Sequence, residues 1–148
     1  IYKGEHGNAG EMGHMISKID GPLCFCGKKG CLISVLSSYI KIDESKKLIE
    51  EFNLIKNNRL YNENRYKKFC LYLSLSISNY IEINDPEKII IGGDITKVAP
   101  DRFYREIENI TNNNLLPSND KISIEASYLD NATILGGAYL CFEEFLLE

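Results

Sequence analysis

Residues 4–31 read GEHGNAGEMGHMISKIDGPLCFCGKKGC, and four side chains in this stretch decide how the chain is read. Cys24, Cys26 and Cys31 fall as C-x-C-x4-C, and His14 stands ten positions before the first of them. Three thiolates and one imidazole make a tetrahedral donor set for zinc. The glycines suit that use. Gly27 and Gly30 allow the tight turns through which closely spaced sulfurs converge on one ion. Gly21-Pro22 supplies a turn that carries the chain back from His14 towards the cysteines. The alternative is three ordinary thiols and an unrelated histidine, since free cysteine is common in cores. Three cysteines within eight residues, among Gly and Lys, do not have the surroundings of a core. A disulfide is disfavoured, because the five cysteines are an odd number and Cys24 and Cys26 are too close to pair easily. Four protein ligands leave no open position for a catalytic water, so the site is expected to be structural.

The chain's 148 residues suffice for one domain with a core of its own. Hydrophobic content of 44% and charged content of 26% are ordinary for a globular protein. The formal charge of -4 and the lack of a basic patch argue against phosphate-backbone binding by this segment. No apolar run approaches the roughly 18 residues of a membrane span, and no signal peptide opens the chain. Reduced cysteines around a metal suit the cytoplasm. Ile1-Tyr2-Lys3-Gly4 reads as the end of a strand or hairpin, so the chain is expected to begin in the middle of a fold.

Beyond Cys31, Leu32–Ile40 is expected to be helical, with Leu32, Val35, Leu36 and Tyr39 at helix spacing. Asp43 can cap a second helix reaching Phe52, with Ile42, Leu48, Ile49 and Phe52 as its apolar side. Asn53–Leu60 is a polar connection. A long helix from Asn62 to Ile83 carries Tyr66, Phe69, Cys70, Leu73, Ile77, Tyr80 and Ile81 on one stripe, a clear 3.6 period. On that stripe Cys70 is core rather than ligand. Asn84-Asp85-Pro86 ends the helix. Lys88–Ile91 reads as a buried parallel strand, followed by Gly92, Gly93 and Asp94 at its C-terminal end, where open α/β sheets place ligands. The glycine pair is either a plain strand-to-helix turn or a close approach to a phosphate. Pro100–Ile110 is an amphipathic helix, Asn112–Asp120 a polar loop, Lys121–Tyr128 a second strand and Ala132–Leu146 a last helix. Gly136 and Gly137 inside that helix cost roughly 1 kcal/mol each relative to alanine, and close packing or a ligand contact is the expected compensation. The order of helices and strands implies an α/β layer architecture.

GNAGEMGH followed by CFCGKKGCL closely resembles the signature of the ROK family (repressor, open reading frame, kinase), roughly G-x-x-G-x-A-G-E-x-G-H and then C-x-C-G-x-x-G-C-x-E. Gly7, Ala9, Gly10, Glu11, Gly13, His14, Cys24, Cys26, Gly27, Gly30 and Cys31 fall in place. Near the end, S-Y-L-D-N-A-x-x-x-G-G-A resembles the family's L-G-D-x-A-x-x-x-G-A-A. The resemblance implies the actin-like, ribonuclease-H-like sugar kinase fold, of which residues 1–148 are expected to be the C-terminal lobe, a single domain. Its parts are a zinc loop at 4–33, a helical segment at 34–85 and an α/β segment at 86–148. The family's D-x-G-x-T turn and catalytic aspartate do not occur here, so the N-terminal half is expected to be absent.

By the same resemblance Glu11 accepts hydrogen bonds from sugar hydroxyls, and His14 binds zinc through one ring nitrogen and offers the other to the sugar. Metal on one nitrogen leaves the other as an N–H donor, which makes that division sensible. Judged alone, Glu11 is a solvated surface acid. Ile33 stands where the family carries a sugar-binding glutamate, and it cannot accept a hydroxyl hydrogen bond. Gly92 and Gly93 match a glycine turn near the nucleotide, although Asp94 in the third position repels a phosphate.

Two functions follow. The preferred one is the sugar-binding and dimerising part of a transcriptional repressor, responding to a sugar or sugar phosphate, with a DNA-binding helix-turn-helix upstream of this chain. The other is part of a kinase that phosphorylates a hexose or N-acetylhexosamine with ATP and magnesium. In either case this segment by itself is expected to have no catalytic residue and no activity.

Overall fold

The computed structural model of the chain describes residues 2–39, 63–97, 99–118 and 120–146. The expected helix from Asp43 to Phe52 and the connection Asn53–Leu60 lie outside the described residues, as does Ile1. Tyr2–Gly4, expected in a strand, lies outside any strand. The elements run α1 (Leu32–Tyr39), α2 (Glu63–Asn84), β1 (Lys88–Ile91), α3 (Asp101–Asn112), β2 (Ser123–Ala126) and α4 (Ala132–Leu146). Short 3-10 turns occur at Met12–His14 and Asp94–Lys97.

The core forms where three apolar stripes meet. Tyr66, Phe69, Cys70, Ile77 and Ile81 of α2 face Phe103, Tyr104 and Ile107 of α3, and Ile124 of β2 closes the cluster. Leu36 and Tyr39 of α1 pack on its edge, with the Tyr39 ring stacked on Tyr72 at 5.7 Å. The 3.6-residue spacing therefore located both the long helix and its buried side. Cys70 is fully buried, and burial pushes its thiol up to about 12, as suits a core residue. The helix ends at Asn84, and Asp85 turns the chain with φ +44° before Pro86.

The spacing did not reveal a seam of small polar residues. Ser74, Ser76, Ser78 and Thr111 are buried. Ser74 Oγ donates to the Ile107 carbonyl at 3.3 Å, and Ser78 Oγ to the Thr111 carbonyl at 3.2 Å, so α2 binds α3 through hydroxyls where larger side chains would hold the two apart. Ser76 faces the other way, and its Oγ lies 2.9 Å from Ser17 Oγ in the cysteine loop.

β1 and β2 pair in parallel, Ile89 opposite Ile124 and Ile91 opposite Ala126, with α3 as the crossover. Side chains of α3 complete the edge of β2. The Asn112 amide exchanges two hydrogen bonds with the Ile122 backbone, at 2.9 and 2.8 Å, and Glu108 Oε2 accepts from the Ile124 amide at 2.8 Å.

Two expectations need correction. β1 is parallel but not buried, since its residues alternate between exposed and half-buried and Ile90 is 59% exposed. A parallel strand reads as continuously apolar because both faces are normally covered; here the core covers one. In α4, a β-carbon added at Gly136 or Gly137 would meet nothing within 4 Å, so no close packing compensates these glycines among the described residues. The same helix leaves Ile134, Leu135, Tyr139, Leu140, Phe142 and Phe145 between 42% and 79% exposed. No helix among the described residues is long and apolar enough to cross a membrane.

Candidate metal centre

The stretch 12–31 folds into a tight double-back whose geometry depends on three backbone positions. Asp20 turns the chain with φ +58°. Gly21 and Gly30 then meet backbone to backbone, and a β-carbon on Gly21 would stand 2.6 Å from the Gly30 α-carbon. Gly30 has φ +75°, and a β-carbon there would collide with the Lys18 carbonyl. Only glycine fits both demands. The return is fixed by backbone bonds from the Gly30 amide to the Pro22 carbonyl at 2.9 Å and from the Ser17 amide to the Gly30 carbonyl at 2.8 Å. At the tip, Cys24 to Gly27 closes a turn, with the Gly27 amide 2.9 Å from the Cys24 carbonyl and Gly27 at φ +86°.

This path brings the four expected side chains together. One ligand atom from each of His14, Cys24, Cys26 and Cys31 lies within 4.8 Å of every other. Cys26 Sγ and Cys31 Sγ are 3.6 Å apart, and Cys24 Sγ is 3.7 Å from His14 Nδ1. Thiolates sharing a tetrahedral zinc at bonds of about 2.3 Å stand about 3.8 Å apart, whereas a disulfide needs about 2.05 Å. The four groups therefore have the spacing of ligands around one ion, and together they can hold a metal.

The electrostatics of the loop suit a cation. The Lys28 backbone amide holds the Cys26 thiol down to about 7, helped by its sulfur and histidine neighbours. Burial, reinforced by those neighbouring sulfurs, pushes the Cys31 thiol up to about 11. Three sulfurs this close repel one another as thiolates, and a dication in their midst would reverse that repulsion. The Lys28 ammonium crosses the loop and donates to the His14 carbonyl at 2.8 Å, pinning the backbone of the one nitrogen ligand.

His14 turns Nδ1 towards the sulfurs, which leaves Nε2 on the far side of its ring. The Phe25 ring meets the imidazole edge to face, centroids 5.0 Å apart. Glu11 precedes the Met12–His14 turn, is exposed, and makes no side-chain capping bond to it. Ile33, the second residue of α1, reaches back to Gly13, where an added β-carbon would lie 3.8 Å from its own. Gly92 and Gly93 lie beyond the end of β1 and not on this loop; Gly93 has φ +89°, and Asp94 pairs with Lys97 Nζ at 2.9 Å. The roles of Lys28 and Phe25 went unread in the sequence. The Lys-Lys pair inside the cysteine spacing was the available signal for the first; the second depends on ring placement.

The family model described as "ROK family" matches residues 1–144. The xylose repressor of Bacillus subtilis is 28% identical over 163 residues, covering 99% of this chain and 40% of its own length. The N-acetyl-D-glucosamine kinase of Vibrio vulnificus is 31% identical over 162 residues, covering 95% of this chain and 52% of its own. Among solved structures, a ROK family transcriptional regulator homologous to the E. coli MLC protein superposes with a TM-score of 0.75 at 25% identity, covering 94% of this chain and 39% of that one. A ROK hexokinase from Thermus thermophilus superposes with a TM-score of 0.73 at 22% identity, covering 97% of this chain and 51% of that one. The chain thus spans between two fifths and about half the length of the relatives it matches.

Proposed function

The chain belongs to the ROK family, and from that premise we propose that it is the sugar-binding and dimerising portion of a transcriptional repressor. Ile33 carries the choice. It sits against Gly13, which lies between Glu11 and His14 in the sequence, and offers no acceptor to a hydroxyl. A hydroxyl buried there without a partner costs on the order of 1–3 kcal/mol. A sensor needs only a difference in affinity between two states. In-line phosphoryl transfer needs the attacking hydroxyl held in place and a cradle for the phosphates. Asp94 after the glycine pair weighs the same way, as a carboxylate beside the turn, although the Lys97 ammonium 2.9 Å away offsets part of its charge.

In this reading residues 4–33, 34–85 and 86–148 are the zinc loop, helical segment and α/β segment of one C-terminal lobe of the actin-like, ribonuclease-H-like fold. Zinc is the ion we assign to His14, Cys24, Cys26 and Cys31; when bound, it supplies a fixed tetrahedral node that ties the loop together. The chain's own residues do the recognition. Glu11 accepts from vicinal sugar hydroxyls, and His14 donates from Nε2 with its tautomer set by the Nδ1 side. The protein acts as a cytoplasmic homodimer and contacts DNA through a helix-turn-helix upstream of this chain. The test uses the full-length protein: it should retard DNA from the control region of a sugar-utilisation operon and release it on addition of the cognate sugar. Sugar-dependent ATP turnover in a coupled assay, without DNA binding, would instead establish the second reading.

That second reading is a hexose or N-acetylhexosamine kinase requiring ATP and magnesium. The similarity to the Vibrio vulnificus N-acetyl-D-glucosamine kinase favours it, as does the left-handed Gly93, which lets the backbone pass close to a nucleotide at Gly92-Gly93. The base and the remaining phosphate contacts would come from outside this chain.

A further inference from the structure

Next to His14 the surface turns apolar. Leu23, Phe25 and Ile33 are all exposed, Phe25 at 82%, although each is large and they stand side by side. With Pro22 and the outer face of α1 they line a groove of about 430 Å³. Three serines of α1 also border it, but each turns its hydroxyl hydrogen back into the backbone. Ser34 Oγ donates to the Cys31 carbonyl at 2.9 Å, Ser37 Oγ to the Ile33 carbonyl at 2.7 Å, and Ser38 Oγ to the Val35 carbonyl at 2.7 Å. The groove therefore presents aromatic and aliphatic carbon and few free donors.

It also abuts the turn that carries His14. Phe25 packs its ring on His14, and Ile33 rests on Gly13, so the apolar wall begins at the residues that flank Glu11's turn. An apolar groove lying beside a polar sugar-binding residue selects an amphipathic ligand. We propose that this groove takes the aromatic aglycone of an aryl glycoside whose sugar ring is held by Glu11 and His14. An aromatic group suits it because the exposed Phe25 ring offers a face or edge to pack against, and ring pairs gain beyond their buried area. The proposal rests on the reading of Glu11 and His14 as sugar-binding residues.

Calorimetric titration of the full-length protein with free glucose, xylose and N-acetylglucosamine, and with the methyl and phenyl glycosides of each, separates the two. For the sugar that binds, the phenyl glycoside should bind about tenfold tighter than the methyl glycoside, the gain expected for burying one ring face. In the double variant Phe25→Ser, Ile33→Ser, with fold checked by circular dichroism, that ratio should fall to about one. Equal affinities for methyl and phenyl glycosides, a free sugar that binds while neither glycoside does, or an undiminished ratio in the double variant would each overturn the groove and leave the sugar site standing. If no sugar or glycoside binds the wild-type protein, the reading of Glu11 and His14 fails and the groove with it.

Discussion

Single residues set the cysteine loop. Gly30 is both left-handed and pressed against Lys18, so Gly30→Ala should break the return strand and with it the convergence of Cys31 on the other ligands. Elemental analysis of the purified variant should find well under one zinc per chain, against one in the wild type. Proton linkage gives a second expectation. In the metal-free chain Cys31 is held up at about 11, so a metal that takes its thiolate at pH 8 must displace a proton. Cys26, held down at about 7, adds a further proton only as pH falls through that value. Zinc affinity should therefore decline as pH drops, more steeply below about 7. Titrating zinc into weakly buffered apo-protein with a pH indicator reads the protons directly; no acidification at pH 8 would contradict the ligand set.

At the scale of elements, the α2–α3 contact depends on small side chains. Ser74 lies fully buried with its hydroxyl on the Ile107 carbonyl. Ser74→Leu forces extra methylenes into that seam, and overpacking of this kind costs about 1–3 kcal/mol, visible as a lower urea midpoint. Thr111 differs from the serines, because its Oγ1 is buried with no partner among the described residues. A buried unsatisfied hydroxyl costs about 1–3 kcal/mol, so Thr111→Val, of nearly the same shape, should raise the urea midpoint. The helices themselves were legible. Tyr66, Phe69, Cys70, Ile77 and Ile81 stand at helix spacing, and burial follows that spacing. The serine seam was not, because Ser and Thr look like surface residues until a partner carbonyl is brought within reach.

For the whole molecule, Ile134, Leu135, Tyr139, Leu140, Phe142 and Phe145 of α4 and Ile90 of β1 lie open. Large apolar side chains exposed in this number mark a surface made to be covered. The 148-residue chain produced alone should bind a hydrophobic dye and scatter light as a self-associating species. Replacing Ile134, Tyr139 and Phe142 together by serine should reduce both signals, and a wild-type chain that stays monomeric without dye binding would show that this surface needs no cover.

The order of residues by itself determined which four side chains gather as a candidate metal centre, the helix periods, the parallel pairing and the family, because all four are carried by spacing along the chain: C-x-C-x4-C, the 3.6 repeat, and β-branched runs separated by a helix. Only the tertiary structure decided which of those apolar residues are buried. Ile90 and Ile124 read alike as strand residues, yet one is 59% exposed and the other 3%. Burial depends on what packs against a side chain, and neighbours distant in sequence, such as Ile33 on Gly13 or Ser76 on Ser17, become neighbours only when the chain has folded.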